Sequence, residues 1–411
     1  MMESLLKNRG ISIVERLEEA DVIVINTCIV RAETEDKMRR RISQLYEYAS
    51  KKGKKLIVAG CMARAEPYVI SRIAPKASMI SPQNTHRIVD AVLGRDRRLY
   101  LLGEKPRNAL SLVRKGLIGI VPIADGCLGN CSFCIVKWAR RRLVSYPPRL
   151  IVGNVERLVA GGVKEIQITA PDTAVYGYDL GRPMLPELVE RIAEIEGDFM
   201  IRVGMMTPNY AYRIIDGLIK ALNNPKVYKF VHLPLQSGDD GVLRIMRREY
   251  TVDEYRSLVR EIRGKVPGVS IATDIIVGHP GETEEAFENT LRVVRELGFE
   301  RIHVAQYSIR PHTEAASMRQ IPEHVKKQRS LRLMRLAEEI GLNAHKPYIG
   351  RIVDGIVVEQ GKGDTLVARL PNYIPLVFPE SPMLMGRWSR FRVMDATFYD
   401  LRGLPVQPGI T

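Results

Sequence analysis

From residue 117 the chain repeats one rhythm six times: a short apolar run, then a segment with apolar residues at helical spacing. The runs at 120–124, 165–170, 199–204, 229–236, 270–278 and 301–309 read as strands. Helical patterns lie between them, at 154–160, 185–195, 210–222, 252–262 and 284–297. Strand and helix in strict alternation imply a parallel sheet, because parallel neighbours need a crossover longer than a hairpin. Six such units make a partial barrel rather than the full eight-stranded one, with its reactive loops at the carboxyl ends of the strands. The loop at 171–183, after the second strand, is too long to be a mere connector.

The loop after the first of these strands carries Cys127, Cys131 and Cys134, and Gly126 lets the chain turn into it. Three thiolates on one tight loop can hold three irons of a 4Fe–4S cube, leaving the fourth iron without a local protein ligand. An open metal position is where chemistry happens. A structural zinc loop, the competing reading, wants a fourth ligand and commonly a second C-x-x-C knuckle. No Cys follows Cys134, and no His lies nearby in sequence.

Upstream, 22–26 and 55–59 read as strands, with a third short one at 79–80 and helical patterns at 1–8 and 85–93. A further helix carries Met38, Ile42, Leu45 and Ala49 on one stripe. This alternation again implies a parallel sheet, in which ligands gather beyond the carboxyl ends of the strands. Cys28 and Cys61 both fall there, so they are expected as ligands of one site; each alone would read as a small buried hydrophobe. Residues 103–116 form the expected linker. After the barrel, a charged helix at 322–346 places Val325, Leu333, Leu336 and Ile340 for packing. Strands at 352–358, 365–370, 374–378 and 390–398, turned by Gly361 and Gly363, read as a small antiparallel barrel of oligonucleotide-binding type. The expected division is 1–103, 117–345 and 346–411, in an α/β chain.

Charge adds a partner. Lys and Arg number 62 against 47 Asp and Glu, a net charge of +15, which favours a polyanion such as nucleic acid. Lys137, Arg140, Arg141 and Arg142 follow the cysteine loop directly, near enough to steer phosphates toward it, unless they are only a solvated charge run. Five cysteines is an odd number and none needs a disulfide, so a reduced cytoplasm is the expected home. No apolar run reaches the roughly 18 residues of a membrane span. A monomer is expected.

The C-x-x-x-C-x-x-C spacing, with Phe133 before its last Cys, resembles the signature of radical S-adenosylmethionine (SAM) enzymes. Further stretches resemble one family among them, the methylthiotransferases, in the wording of the archaeal and eukaryotic branch. They are Ile168, Thr169, Ala170, Pro171, Asp172 and Thr173 at the second strand, and Arg202, Val203, Gly204 and Met205 at the third. His232 to Gly238 (HLPLQSG), Met246 to Tyr250 (MRREY) and Ala272 to Thr283 (ATDIIVGHPGET) match as well. The resemblance implies a tRNA enzyme that converts N6-threonylcarbamoyladenosine, next to the anticodon, to its 2-methylthio derivative. It also implies SAM on the open iron, a second 4Fe–4S cluster on Cys28 and Cys61, a C-terminal TRAM domain, an electron donor and a sulfur source. Phe133, Thr169, Asp172, Arg202, Gln236, Ser237, Asp274, Gly278 and Arg310 are its expected cofactor-binding residues. His232 and His303 read as core residues, and His279 as a packing residue where the family has an aromatic ring.

One departure stands out. The family carries a third N-terminal cysteine after a strand upstream of the first helix here, so the true start is expected upstream of Met1, or the second cluster is bound incompletely. Isopentenyladenosine in tRNA and a ribosomal-protein aspartate are the alternative substrates. A non-catalytic, metal-containing RNA-binding protein is the alternative of another class.

Overall fold

The computed structural model describes residues 2–110 and 113–406. Met1, residues 111 and 112 of the expected linker, and residues 407–411 of the expected third domain lie outside the described residues. Two units form, each built from more than one stretch of chain.

The first comprises the described residues of Met1–Val113 with Asp125–Leu150 and Ser308–Met318, so the cysteine loop folds with the N-terminal sheet. That sheet has four parallel strands in chain order: Val22–Thr27, Lys55–Gly60, Ser78–Ile80 and Leu99–Tyr100. The last is two residues long, too short for a periodicity to reveal it. Helix Ala32–Lys51 buries Ile42, Leu45 and Ala49 in one core with Val58 and Met79 of the strands, as its stripe predicts. Each Ile, Leu, Val or Met side chain among them contributes about 1.5–3 kcal/mol on burial. The helical pattern at 85–93 resolves into a 3-10 turn, Pro82–Arg87, followed by helix Ile88–Leu93.

The second unit holds the partial barrel and the small barrel together. Six parallel strands, Ile118–Pro122, Glu165–Thr169, Met200–Val203, Phe230–His232, Ser270–Val277 and Arg301–Gln306, match the six expected runs. The first three pair in chain order, and so do the last three. Single parallel bridges, Ile201 to Val227 and Met205 to His232, carry the pattern from the third strand to the fourth. Local signals set the helices: a Thr251–Glu254 capping box opens Val252–Lys265, and Thr283 caps Glu284–Leu297. The expected helix at 210–222 is instead two, Pro208–Arg213 and Ile215–Leu222.

Five strands close the small barrel: Ile352–Gln360, Thr365–Arg369, Pro375–Pro379, Trp388–Ala396 and Leu401–Pro405. The fifth carries no strand pattern of its own, because Arg402 and Gly403 break its apolar run. This barrel is built into the amino end of the parallel strands. Ile356 and Val358 share a core with Ile118, Met200, Phe230 and Ala272. The loop before its third strand docks there too, Lys229 N–H donating to the Pro371 carbonyl at 2.9 Å and Ser270 Oγ to that of Asn372 at 2.5 Å. Helix Glu323–His345 buries Leu333 and Leu336 and leaves Val325 and Ile340 half-buried. It also buries Arg329, which pairs with Glu282 at 2.6 Å and Glu284 at 3.1 Å. Among the described residues no helix is long and apolar enough to cross a membrane.

Candidate functional site

Two of the loop's sulfurs converge on one glycine. Gly129 N–H donates to Cys127 Sγ at 3.2 Å. A Cβ placed on Gly129 would stand 3.4 Å from Cys127 Sγ and 3.6 Å from Cys131 Sγ. Gly129 therefore packs beside both thiols, and a turn brings Cys134 N–H to the Cys131 carbonyl at 3.2 Å. All three cysteines are half-buried, accessible to a cluster yet held by the fold. The loop begins at Gly126 (φ +77°), where any Cβ would strike the Arg142 carbonyl. The donor set fits a 4Fe–4S cube bound at three irons.

Sheet register explains where the other two cysteines lie. Thr27 pairs with Gly60, so Cys28 and Cys61 each stand one residue beyond the same rung. Gly60 (φ +99°) is required there, since a Cβ would sit 2.5 Å from the Thr27 carbonyl. Thr27 Oγ1 donates to the Ala59 carbonyl at 2.6 Å and accepts Met62 N–H at 3.3 Å, tying both strand ends together. Burial pushes the Cys61 thiol up; Arg140, hydrogen-bonded to it, pulls the other way, and Cys28 is close enough to act on it electrostatically. Arg140 is ion-paired to Asp125, which Lys105 also reaches at 2.5 Å and the Tyr146 hydroxyl at 3.0 Å. Burial alone would raise Asp125, but Lys105 and Arg140 outweigh it and hold the carboxyl below its usual range.

Arg140, expected among the residues facing RNA, is half-buried, ion-paired to Asp125 and hydrogen-bonded to Cys61, and lines the same cavity as Arg141 and Arg142. Arg310, expected at the cofactor, has a buried guanidinium ion-paired to Glu35 and donating to the Ile29 carbonyl at 3.2 Å, which buttresses the Cys28 loop, while its Nε has no partner. Lys137, Arg141 and Arg142 do remain exposed. Beside them Trp138, 47% exposed, stacks on His312 with ring centroids 4.6 Å apart. Lys105, Arg107, Arg141 and Arg142 line a cavity of about 510 Å³ in this unit.

The expected cofactor residues of the second unit divide by what their polar atoms already do. Asp172 is fully buried; Oδ1 accepts the Ala174 and Thr207 N–H groups at 3.1 Å each, while Oδ2 has no partner. Burial pushes its carboxyl up, against those hydrogen bonds. Gln236 adopts φ +68°, a strained value for a side-chain-bearing residue, and its buried Oε1 is also without a partner. Ser237 is engaged with Thr290 and the Asp239 N–H. Thr169 ends its strand half-buried, its carbonyl accepting Ile123 N–H at 2.9 Å. Gly278 (φ +75°) makes room for the Lys326 stem, which a Cβ would strike, so that close approach is internal to the protein. Asp274 accepts from or shares a proton with His232 Nε2 at 2.9 Å, and His303 completes a trio whose ligand atoms lie within 4.8 Å of one another. His279 is buried edge-on against Tyr307, its packing role as expected.

Parallel strands in a six-stranded partial barrel, with three thiolates in the loop after the first, define a radical SAM enzyme. Sequence comparison agrees: the Radical SAM superfamily matches residues 121–294, and an uncharacterized protein family, UPF0004, matches 1–81. A solved radical SAM methyltransferase, TsrM from Kitasatospora setae with cobalamin and a [4Fe-4S] cluster bound, superposes at a TM-score of 0.56. Its identity is 14%, covering 73% of this chain and 67% of that one, a likeness of fold alone. A probable threonylcarbamoyladenosine tRNA methylthiotransferase of Methanocaldococcus jannaschii is 41% identical over 410 residues, 98% of this chain and 92% of that protein. The threonylcarbamoyladenosine tRNA methylthiotransferase of Xenopus laevis is 36% identical, covering 97% and 72%. The chain belongs to the family of threonylcarbamoyladenosine tRNA methylthiotransferases.

Proposed function

We propose that this chain acts on tRNA, converting N6-threonylcarbamoyladenosine next to the anticodon to its 2-methylthio derivative. The observation that carries the reading is the set of three half-buried cysteines on the loop after the first barrel strand, within a chain matched almost end to end by relatives of that name. Adenine C2–H is unactivated, so no side-chain base could remove its proton usefully. A 4Fe–4S cluster with SAM supplies the one-electron chemistry such a carbon needs. The protein's share is to hold and orient.

Cys127, Cys131 and Cys134 hold the first cluster and leave one iron to SAM. Asp172 Oδ2 and Gln236 Oε1, buried acceptors without protein donors, suit the ammonium and hydroxyl groups that SAM carries. Thr169, Ser237 and Asp274, in the same unit as those acceptors, are assigned to SAM with them, and Phe133 stands beside Cys134 in the cysteine loop. Cys28 and Cys61 are ligands of a second cluster, with Arg140 as the cation beside Cys61. Lys137, Arg141 and Arg142 take tRNA phosphates, and Trp138 offers a stacking face to an unpaired base. The working division remains 1–103, 117–345 and 346–411, the last a TRAM-like RNA-binding domain. A monomer in the cytoplasm, served by an electron donor and a sulfur source, completes the reading.

Mass spectrometry of tRNA nucleosides from cells lacking the gene tests it. The 2-methylthio derivative should vanish while N6-threonylcarbamoyladenosine accumulates; unchanged levels of both would sink the assignment.

A further inference from the structure

Inside the second unit, a cavity of about 290 Å³ lies where the parallel strands meet the small barrel. Arg202, Arg301 and Arg369 line it together, with His232, His303 and Tyr373. Three guanidiniums around so small a space are costly unless something negative answers them. Arg369 is answered by Glu359 at 2.9 Å. Arg202 and Arg301 are not: among the described residues neither has a carboxylate within 4 Å. Arg202 Nε is buried with no hydrogen-bond partner, and so is Arg369 Nε. Arg301 donates only to the Tyr399 carbonyl, at 2.9 Å.

The carboxylates nearby are hydrogen-bonded to other groups, and Glu165 acts electrostatically on Arg369. Glu165 accepts from Tyr373, Tyr228 and Gln167. Glu300 accepts Ile271 N–H at 2.7 Å and faces Arg263, and Asp274 is held by His232. The Arg202 guanidinium lies 5.3 Å from the Phe230 ring and 5.6 Å from the Tyr373 ring, within cation–π range of both. A divalent cation on His232, Asp274 and His303 would have one carboxylate and two unpaired guanidiniums for company, the wrong balance of charge.

We propose that this cavity receives the free carboxylate of the threonylcarbamoyl group, with Arg202 as its principal partner and Arg301 beside it. The proposal rests on the function proposed above and assigns Arg202 to substrate rather than to cofactor. Reach is consistent with it. Arg202, third of the four residues of its strand, stands roughly 7 Å below the carboxyl rim where barrel enzymes react, whereas Arg301, first of six, lies at the amino end and acts on the same charge at longer range. The carboxylate oxygen of the substrate lies five bonds from N6, roughly 6 Å when extended. An isopentenyl group has no charge to offer and would leave both guanidiniums uncompensated, so the cavity also discriminates between the two modified adenosines.

The test is binding of the full chain to a labelled anticodon stem-loop carrying N6-threonylcarbamoyladenosine, against the same RNA with the threonine carboxyl converted to its amide. The wild type should prefer the acid by about tenfold or more, the scale of one charge-assisted pair. Arg202→Met should bring acid binding down to the amide level and leave amide binding unchanged, Arg202→Lys should recover part of the preference, and Arg301→Gln should reduce it. Equal binding of acid and amide by the wild type would overturn the proposal. So would undiminished preference in both Arg202→Met and Arg301→Gln, or an equal loss on both RNAs, the mark of a phosphate contact. Tight zinc binding abolished by His303→Ala would overturn it as well. Failure of the function itself would appear separately, as wild-type protein that binds the acid RNA selectively yet forms no 2-methylthio product.

Discussion

Tyr373 of the small barrel donates its hydroxyl hydrogen to Glu165, the first residue of the second parallel strand, at 3.1 Å. Tyr228 reaches the same carboxylate at 3.2 Å and Gln167 at 2.6 Å, so a buried acid is satisfied only when both barrels are in place. The small barrel is therefore a floor to the larger one as well as a candidate RNA surface. Tyr373→Phe should cost about 1 kcal/mol and Tyr373→Ala about 3 kcal/mol. Denaturant unfolding followed through Trp388, which lies in the small barrel, reads both; an unchanged midpoint for Tyr373→Ala would contradict the linkage.

Adjacent arginines should behave in opposite ways. Arg140→Met breaks the half-buried pair with Asp125 and should destabilise the first unit by about 2 kcal/mol. Arg142→Ala removes an exposed side chain and should leave stability within about 0.5 kcal/mol. In tRNA binding, Arg142→Ala should lower the slope of affinity against salt by about 1. Titrations at several salt concentrations, with melting curves alongside, separate the two roles; identical behaviour of the two variants would refute them.

Replacing Cys127, Cys131 and Cys134 together by Ala should remove one cube of iron and all reductive cleavage of SAM. Iron and sulfide analysis with quantitation of 5′-deoxyadenosine checks this. Cleavage at the wild-type rate in the triple variant would mean that the cluster is held elsewhere.

His279 gives the fold a dependence on acid. Burial holds its imidazole down to about 4, against an ordinary value near 6.5. Between those values the unfolded chain binds the proton and the folded one does not, so stability rises with pH across that window. The contribution is complete above about pH 6.5 and falls away toward pH 4, by about 3 kcal/mol in all. Burial raises Asp172, Glu282 and Glu300, whose slopes run the other way, so the measurement must be a difference. Wild type should lose stability relative to His279→Phe as pH falls from 6.5 to 4; parallel curves would show that the buried ring does not titrate as described.

What the sequence disclosed depended on the range of the signal. The six strand runs and the cysteine loop were legible because periodicity and thiol spacing are local. Arg140 was not, since it stands in a run of three arginines and only the folded position of Asp125 separates it from Arg141 and Arg142. Arg310 finds Glu35 across 275 residues of chain, beyond any pattern. Gly278 reads as a ligand-binding glycine until Lys326 is seen lying against it. The fifth strand of the small barrel is short and interrupted, and takes its place by pairing with Trp388–Ala396 rather than by its own propensity.

The most direct measurement follows the hydrogen. Reconstituted protein is supplied with SAM, reductant, a sulfur source and a stem-loop RNA whose N6-threonylcarbamoyladenosine carries deuterium at C2. Mass spectrometry should find that deuterium in 5′-deoxyadenosine, in proportion to the 2-methylthio nucleoside formed. Product without deuterium transfer, or 5′-deoxyadenosine labelled from solvent alone while the nucleoside stays unmodified, would contradict the account.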